Sequence, residues 1–508
     1  MKKKNEKANI ILEKISSVYV FVIIVLFPLI VDKTGFFHIL ECKWYSFVTI
    51  SSFYILSMMG TYLYFLLIKK ENALKYIKIN VIHWIAIAFW MINILSCLFS
   101  PFLKNYNLWI GVGRGEGLIV QSLYILSFLL VSLFYHFKKK HILYFSISSI
   151  LINTIAVLQY LGFNPLNMYQ DGIGIYNVSF LTTIGNIDFV SAIYCILVTI
   201  SIAAYIFLEE ESKKEKIVHL LSILLGFMMI SIIEVASGKL AMFTTLVIVF
   251  PFVILNNKRL SRLLDVAGTI LLAYGLDYFL NPQYHYSNNT FRLYPQFDWI
   301  TILFIVVCVL LFFLGNIIRN YSFNNLDNKK IIKGFYMCII GCGVLGIIVL
   351  FLFDFNIGML HEIHELMHGN FQDDFGTYRV FLWRRTFQLF PQYPILGSGP
   401  DTFVIRFMDK YTADIIALGE YSLNDTAANV YFTMLINLGM VGFITYLSFL
   451  GVQIKNGIQK MTPYSKVLFI GLICFMIQDF FNLSVVIITP LYWVLMAVHY
   501  SSTRNNTI

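Results

Sequence analysis

Residues Gly376–Tyr411 read GTYRVFLWRRTFQLFPQYPILGSGPDTFVIRFMDKY, and they lie in the one long polar segment, Asp354–Asn429, of an otherwise apolar chain. Cations gather there (Arg379, Arg384, Arg385, Arg406 and Lys410) around the turn Gly397-Ser398-Gly399-Pro400. The segment runs through NDTAANVY (Asn424–Tyr431) and re-enters an apolar run. An arginine-rich polar lobe between two membrane spans is suited to an anionic substrate, because guanidinium groups bind phosphate in a planar, two-pronged geometry. The turn lacks the spacing of a phosphate-binding loop and reads as a plain turn.

Outward from the lobe, the chain reads as membrane. Of its 508 residues 58% are hydrophobic and 13% charged, whereas soluble domains carry about 25% charged residues. Runs of about 20 apolar residues, each long enough to cross a bilayer as a helix, recur throughout. Fourteen are predicted, at 18–31, 45–68, 81–99, 118–137, 142–161, 189–208, 217–235, 240–255, 263–280, 300–318, 334–353, 430–452, 467–483 and 485–500. The first lacks a small-residue cleavage site and is read as a retained span. The expectation is an all-α polytopic membrane protein of about fourteen transmembrane helices. Its parts would be spans 1–11 in residues 1–353, an extracytoplasmic lobe at 354–429, and spans 12–14 in 430–508.

The net charge of +9 would suggest nucleic acid in a soluble protein, but here most Lys and Arg fall in short loops on alternate sides. MKKKNEK at the N-terminus, Lys69 to Lys78 (with Lys75), KKK at 138–140, Lys213 to Lys216, Lys258 to Arg262, Arg319 to Lys333 and Lys455 to Lys466 all share one side. By the positive-inside rule that side is cytoplasmic, which places both termini inside and the lobe outside. The seven cysteines are scattered without metal-ligand spacing and read as small apolar residues in helix contacts.

Cations on the other side go against the rule. Lys239, in EVASGKLAMF, sits between two spans with almost no loop, and Glu234 lies five residues earlier. Ionisable groups at that depth pair with one another or face a polar cavity; a Glu234–Lys239 pair and a substrate-facing cation are both compatible with the spacing. RVFLWRRTFQLF (379–390) reads equally as a helix lying on the membrane surface with its arginines toward lipid phosphates. In HEIHELMH, His361, His364 and His368 share one helix face, and His364–His368 matches the HExxH zinc pattern with Glu365 in the position of the base. A solvated polar helix is the plainer reading, and no metal is expected.

Four segments together resemble the O-antigen ligase and O-antigen polymerase group of membrane glycosyltransferases. They are LWIGVGRGEGLIVQ (Leu108–Gln121), TTIGNIDFVSAIYCIL (Thr182–Leu197), EVASGKLAM (Glu234–Met242), and the lobe with Gly376, Arg379, Trp383, Pro394–Phe403 and Asp425–Asn429. Two positions depart from the family pattern at its second asparagine and its arginine: Asp188 and Lys239 stand there. A third departure is chemical. The family's Asp-x-Ala-His-Asn is Asp425-Thr426-Ala427-Ala428-Asn429 here, and the histidine held to be the base is alanine.

The resemblance implies a GT-C-like fold and transfer of a glycan from a polyprenyl pyrophosphate carrier to an acceptor hydroxyl, at the outer face of a bacterial cytoplasmic membrane. The partners would be that lipid-linked glycan, a glycan, lipid or protein acceptor, and membrane lipids, with no nucleic acid and no cofactor. Pyrophosphate departure calls for cations, and Arg379 and Lys239, supported by Arg114 and Arg385, are the candidates. Proton removal from the acceptor calls for a base. Asp425 and His364 are the candidates, unless departure of the pyrophosphate leads the reaction. Asn429, Asn186, Glu234 and Gly399 are expected to shape the site. The alternatives are a catalytically silent relative that binds lipid-linked glycan and a lipid-linked glycan flippase, with a zinc protease built on HELMH a more distant possibility.

Overall fold

A computed structural model describes residues 2–72, 77–170, 179–285, 290–320, 328–419 and 425–504. Lys75 and Asn424, noted above, lie outside them. The first half holds α1 (Lys2–Phe21), α2 (Ile39–Leu63), α3 (Val81–Leu98), α4 (Leu118–Phe134), α5 (Ile142–Tyr160) and α6 (Ile187–Phe207). Next come α7 (Lys213–Ile233), α8 (Ala236–Ile254), α9 (Asn257–Leu280), α10 (Trp299–Asn320) and α11 (Asn328–Leu352). The lobe holds α12 (Gly358–Met367), α13 (Arg379–Leu389) and α14 (Phe403–Leu418), followed by α15 (Val430–Gln459), α16 (Pro463–Gln478) and α17 (Thr489–Arg504). Among the described residues the only sheet is two short antiparallel hairpins, Phe180–Leu181 with Gly185–Asn186 and Pro282–His285 with Thr290–Leu293.

Each of the fourteen predicted spans falls on a helix. Twelve of these helices are long and apolar enough to cross a membrane, while α4 has 17 residues and α17 has 16. The chain is an all-α, multi-pass membrane protein. The last span differs from its predicted limits. It begins at Thr489 and not Val485, because the Thr489 hydroxyl accepts the Val485 N–H at 3.1 Å and residues 482–488 run irregularly along the protein interior.

The bundle is built around α6, which is buried from Phe189 to Phe207. Helices α5, α7, α8, α9 and α16 pack around it. Its sequence explains this: it is apolar on every face and punctuated by Ser191, Ala192, Ser201, Ala203 and Ala204, small residues that let neighbouring backbones approach. The neighbours have matching gaps. A Cβ on Gly238 of α8 would lie 1.9 Å from Ser191 Oγ, and one on Gly471 of α16 would lie 2.5 Å from Ile200 Cγ1. By contrast, the membrane-crossing window of α11 buries no residue.

The lobe has its own core. Phe381, Leu382 and Leu389 of α13 pack on Phe403, Phe407, Tyr411 and Ile415 of α14, with Ala427 and Ile436 closing the cluster from α15 and its entry. Arg406, 3% exposed, clamps this unit. Its guanidinium donates to the carbonyls of Leu389 and Ile436 and to Ser398 Oγ. Burial pushes its pKa down to about 10, which leaves it charged at neutral pH.

The lobe docks into a break in α15. Gly439 has φ 66° and ψ −171°, which interrupts the helix ladder. The turn before α14 supplies the missing partners: Met440 N donates to Pro394 O at 2.8 Å, Val441 N to Ile395 O at 3.2 Å, and Gly399 N to Asn437 O at 2.9 Å. Irregular backbone within a membrane protein persists where protein groups satisfy it, and the 394–399 turn does that here.

Candidate functional site

A cleft with a cavity volume of about 70 Å³ lies where this docking meets the bundle. Its polar wall comes from Arg114, Glu116 and Gln121 before and in α4, Asp401 beside the turn, Thr426, Thr433 and Asn437 of α15 and its entry, and Asp479 and Ser484 after α16. Asn93 of α3, Tyr446 of α15, and Tyr492 and Trp493 of α17 complete it. Among its polar atoms, Asn93 Oδ1 and Asn437 Oδ1 are buried with no hydrogen-bond partner. Such atoms are costly to leave unpaired and favour a hydroxyl-bearing ligand.

The loop Gly113-Arg114-Gly115-Glu116-Gly117 is wrapped on a carboxylate. Asp401 Oδ2 accepts backbone N–H groups from Gly113 at 2.9 Å, Arg114 at 3.0 Å and Glu116 at 3.2 Å. Burial pushes the Asp401 carboxyl up to about 6 against the pull of these donors. The wrap is tight, since a Cβ on Gly111 would fall 2.3 Å from Asp401 Oδ2. Held this way, the loop projects Arg114 and Glu116 into the cleft. Arg114 grips Asp425 Oδ2 through Nε at 2.7 Å and Nη2 at 2.5 Å, and its guanidinium lies 5.7 Å from the Phe189 ring centroid.

Beside the cleft, the entries to α6, α8 and α13 meet the chain after α16. Arg379 Nη1 donates to Gly376 O at 3.0 Å and Nη2 to Phe481 O at 3.2 Å, while its Nε is buried without a partner. Burial pushes the Arg379 guanidinium below its usual range and the nearby Asp188 carboxylate opposes that shift. Asn482 Nδ2 donates to Asp188 O, Gln478 Nε2 to Ser237 Oγ, and Ser484 Oγ to Glu116 Oε2. Residues 478–484 therefore link the Arg379 corner to the cleft. Lys239 lies half-buried in the first turn of α8, two residues beyond Ser237.

The structure brings the four sequence segments together, though not every candidate residue. Arg114, Asp425, Arg379, Asn186 and Asn429 fall around the cleft or the Arg379 corner. Asn186 caps α6 by accepting Asp188 N at 2.8 Å, and Asn429 caps α15 by accepting Phe432 N at 3.0 Å. Gly399 (φ 111°) sits where a Cβ would lie 3.0 Å from Leu108 and 3.1 Å from Ser100, which fits a site-shaping role. Glu234 differs from expectation: it is the exposed left-handed cap that ends α7 and lines no part of the cleft.

Arg385 is held elsewhere as well. It is only 11% exposed, it pairs with Asp373 at 3.2 Å and Asp414 at 2.9 Å, and it stacks 3.8 Å from the Phe381 ring centroid. The helix RVFLWRRTFQLF thus buries its aromatic face in the lobe core. Arg385→Ala is expected to lower the stability of the lobe by about 1–2 kcal/mol and to leave function intact, which thermal unfolding beside a cell-surface assay would check.

His364 is not brought to the cleft either. Its Nδ1 lies 2.7 Å from Leu350 O on α11, and His361 pairs with Asp354 at 2.9 Å. The hydrogen bond that His361 donates to the Asp354 carboxylate raises the His361 pKa. Asp354, His364 and Glu365 do present ligand atoms within 4.8 Å of one another, with Glu365 also accepting from Asn370. Sequence reasoning missed Glu116, Asp401 and Asp479. The signal for the first was available in the glycines that flank it, which mark a backbone wrapped closely on something.

Fold and site define a polytopic helical membrane protein with a polar, cation-bearing cleft beside a lobe. Comparison with known proteins agrees with the resemblance. Residues 299–447 match the family model described as O-antigen ligase, a range that takes in α10, α11, the lobe and the first half of α15. No curated protein matches the chain. The match covers under a third of the chain and supports an O-antigen ligase family assignment.

Proposed function

We propose that the protein transfers or polymerises a glycan from a polyprenyl pyrophosphate carrier onto an acceptor hydroxyl at the outer face of the cytoplasmic membrane. Both termini face the cytoplasm in this reading and the lobe faces outward, in keeping with the placement of Lys and Arg along the chain. The observation that carries the proposal is that the Arg114–Asp425 pair at the cleft and the Arg379 corner with Asp188 beside it meet at the docked lobe. Arg379 offers an unpartnered buried Nε, and Lys239 stands at the adjoining entry to α8. Together they would hold the pyrophosphate and stabilise its charge as it leaves. The reaction calls for no metal and no cofactor, the lipid-linked glycan being a substrate. A catalytically silent relative is the competing reading, favoured by Ala428 where the family has histidine.

Lys239→Ala separates these roles. In cells that lack the chromosomal copy, the full-length wild type is expected to restore surface glycan. The variant, at equal protein level, is expected to restore less than about a tenth of it, as loss of a cation at a developing charge implies. Equal restoration would remove Lys239 from the site.

A further inference from the structure

We propose that Glu116 is the group that takes the proton from the acceptor hydroxyl, in place of the histidine that Ala428 does not supply. The inference rests on the transferase reading above. In the step, the acceptor O–H proton passes to the Glu116 carboxylate and the acceptor oxygen bonds to the glycan anomeric carbon. The bond from that carbon to the pyrophosphate oxygen breaks, and its electron pair leaves with the pyrophosphate, whose charge Arg379 and Lys239 meet.

Three observations favour Glu116 over Asp425 and Asp401. The first is its bonding. Asp425 Oδ2 is taken by the Arg114 fork, and Asp401 Oδ2 by three backbone N–H groups. Among the described residues, Glu116, though 6% exposed, is held only by neutral donors: Tyr124 Oη at 2.9 Å, Gln121 Nε2 at 3.0 Å and Ser484 Oγ at 3.0 Å. Three donors fix the carboxyl in place without a salt-bridged cation, as a base requires.

The second is position. Two residues before Glu116, Arg114 ties its loop to Asp425, three residues from Ala428. On the other side Ser484 joins Glu116 to the stretch that receives Arg379 at Phe481. Glu116 therefore stands between the segment with the alanine and the cation corner. The third is that Asn93 and Asn437, whose side-chain oxygens are buried without a partner, line the same cleft and suit a hydroxyl-rich acceptor.

The charged and titratable groups around the carboxyl are Tyr124 of α4, Arg114 and Asp401 at its own loop, and Asp479, Tyr446 and Tyr492 across the cleft. Burial, with Asp401 adding to it, pushes Glu116 up to about 8, while Tyr124 and Ser484 oppose the shift. A base must be ionised to act, so transfer should rise as pH rises through that value.

The test uses spheroplasts of a deletion strain carrying full-length variants and their own endogenous lipid-linked donor, with external pH set between 6 and 9. Wild type is expected to give polymer formation that climbs toward a plateau above pH 8. Glu116→Gln should fall about 100-fold or more and lose the climb; Glu116→Asp should retain an intermediate rate. Tyr124→Phe removes a donor that lowers the Glu116 pKa, so its climb should move to higher pH, a change that a purely structural role would not produce. This measurement stands even if Glu116→Gln fails to fold. Wild-type rates in Glu116→Gln, or an unmoved climb in Tyr124→Phe, would overturn the inference while leaving the transferase reading in place. A wild type that makes no polymer at all would overturn both.

Discussion

Replacing Arg379 with alanine is expected to abolish surface glycan in the native host while the protein remains at its normal level in the membrane. The side chain is anchored by its two Nη atoms on Gly376 O and Phe481 O, which leaves Nε buried and unpartnered. A guanidinium fixed in this way is pre-organised: it need not reorient when negative charge grows on a leaving pyrophosphate. Removing one such donor typically costs about 10²–10³-fold in rate. Arg379→Lys keeps the charge but replaces the planar fork with a mobile point charge, and it should recover only part of the activity. Surface polymer measured by immunoblot or composition analysis, normalised to protein in the membrane, checks both. Undiminished glycan in Arg379→Ala would exclude the residue from the site.

Gly439→Ala is expected to act on the fold itself. With φ 66° and ψ −171°, Gly439 occupies backbone space that is essentially reserved for glycine. A Cβ there would also lie 2.3 Å from Ile395 O. Relieving either problem pulls α15 away from the 394–399 turn and exposes the N–H groups of Gly399, Met440 and Val441, which that contact pairs. Strain and lost hydrogen bonds together should destabilise the protein by at least about 3 kcal/mol. Thermal unfolding in detergent and the level of intact protein are the readouts, and a wild-type melting temperature would refute the docking role given to this break.

The sequence was most informative about the membrane part. Apolar runs of about 20 residues have one structural solution in lipid, so all fourteen spans are found as helices, and the misplaced edge of the last follows from local capping by Thr489 that hydropathy does not register. The site was legible in part. Arg379 and Arg114 could be chosen because cations outside the positive-inside pattern demand an explanation, and Asp425 because it stands three residues before Ala428 in the family-like motif. What they touch could not be read. Arg385 carries the same charge as Arg379 six residues away, yet Asp373 and Asp414 claim it, a partnership set by how α13 packs on α14. His364 offered an attractive helical spacing, but α12 folds back on α11 and the residue is spent against Leu350. Glu116 went unnoticed because its environment is assembled from α4, the 394–401 turn and the residues after α16, some 370 positions downstream.

The measurement that bears most directly on the central claim is deletion of the gene in the native host, followed by analysis of surface polymer and of the lipid carrier on each side of the membrane. The account predicts loss of surface polymer with build-up of polyprenyl-pyrophosphate-linked glycan at the outer face, both reversed by the wild-type chain and not by Arg379→Ala. Build-up at the inner face would contradict it in favour of a flippase, and absence of any build-up would contradict it in favour of a silent relative.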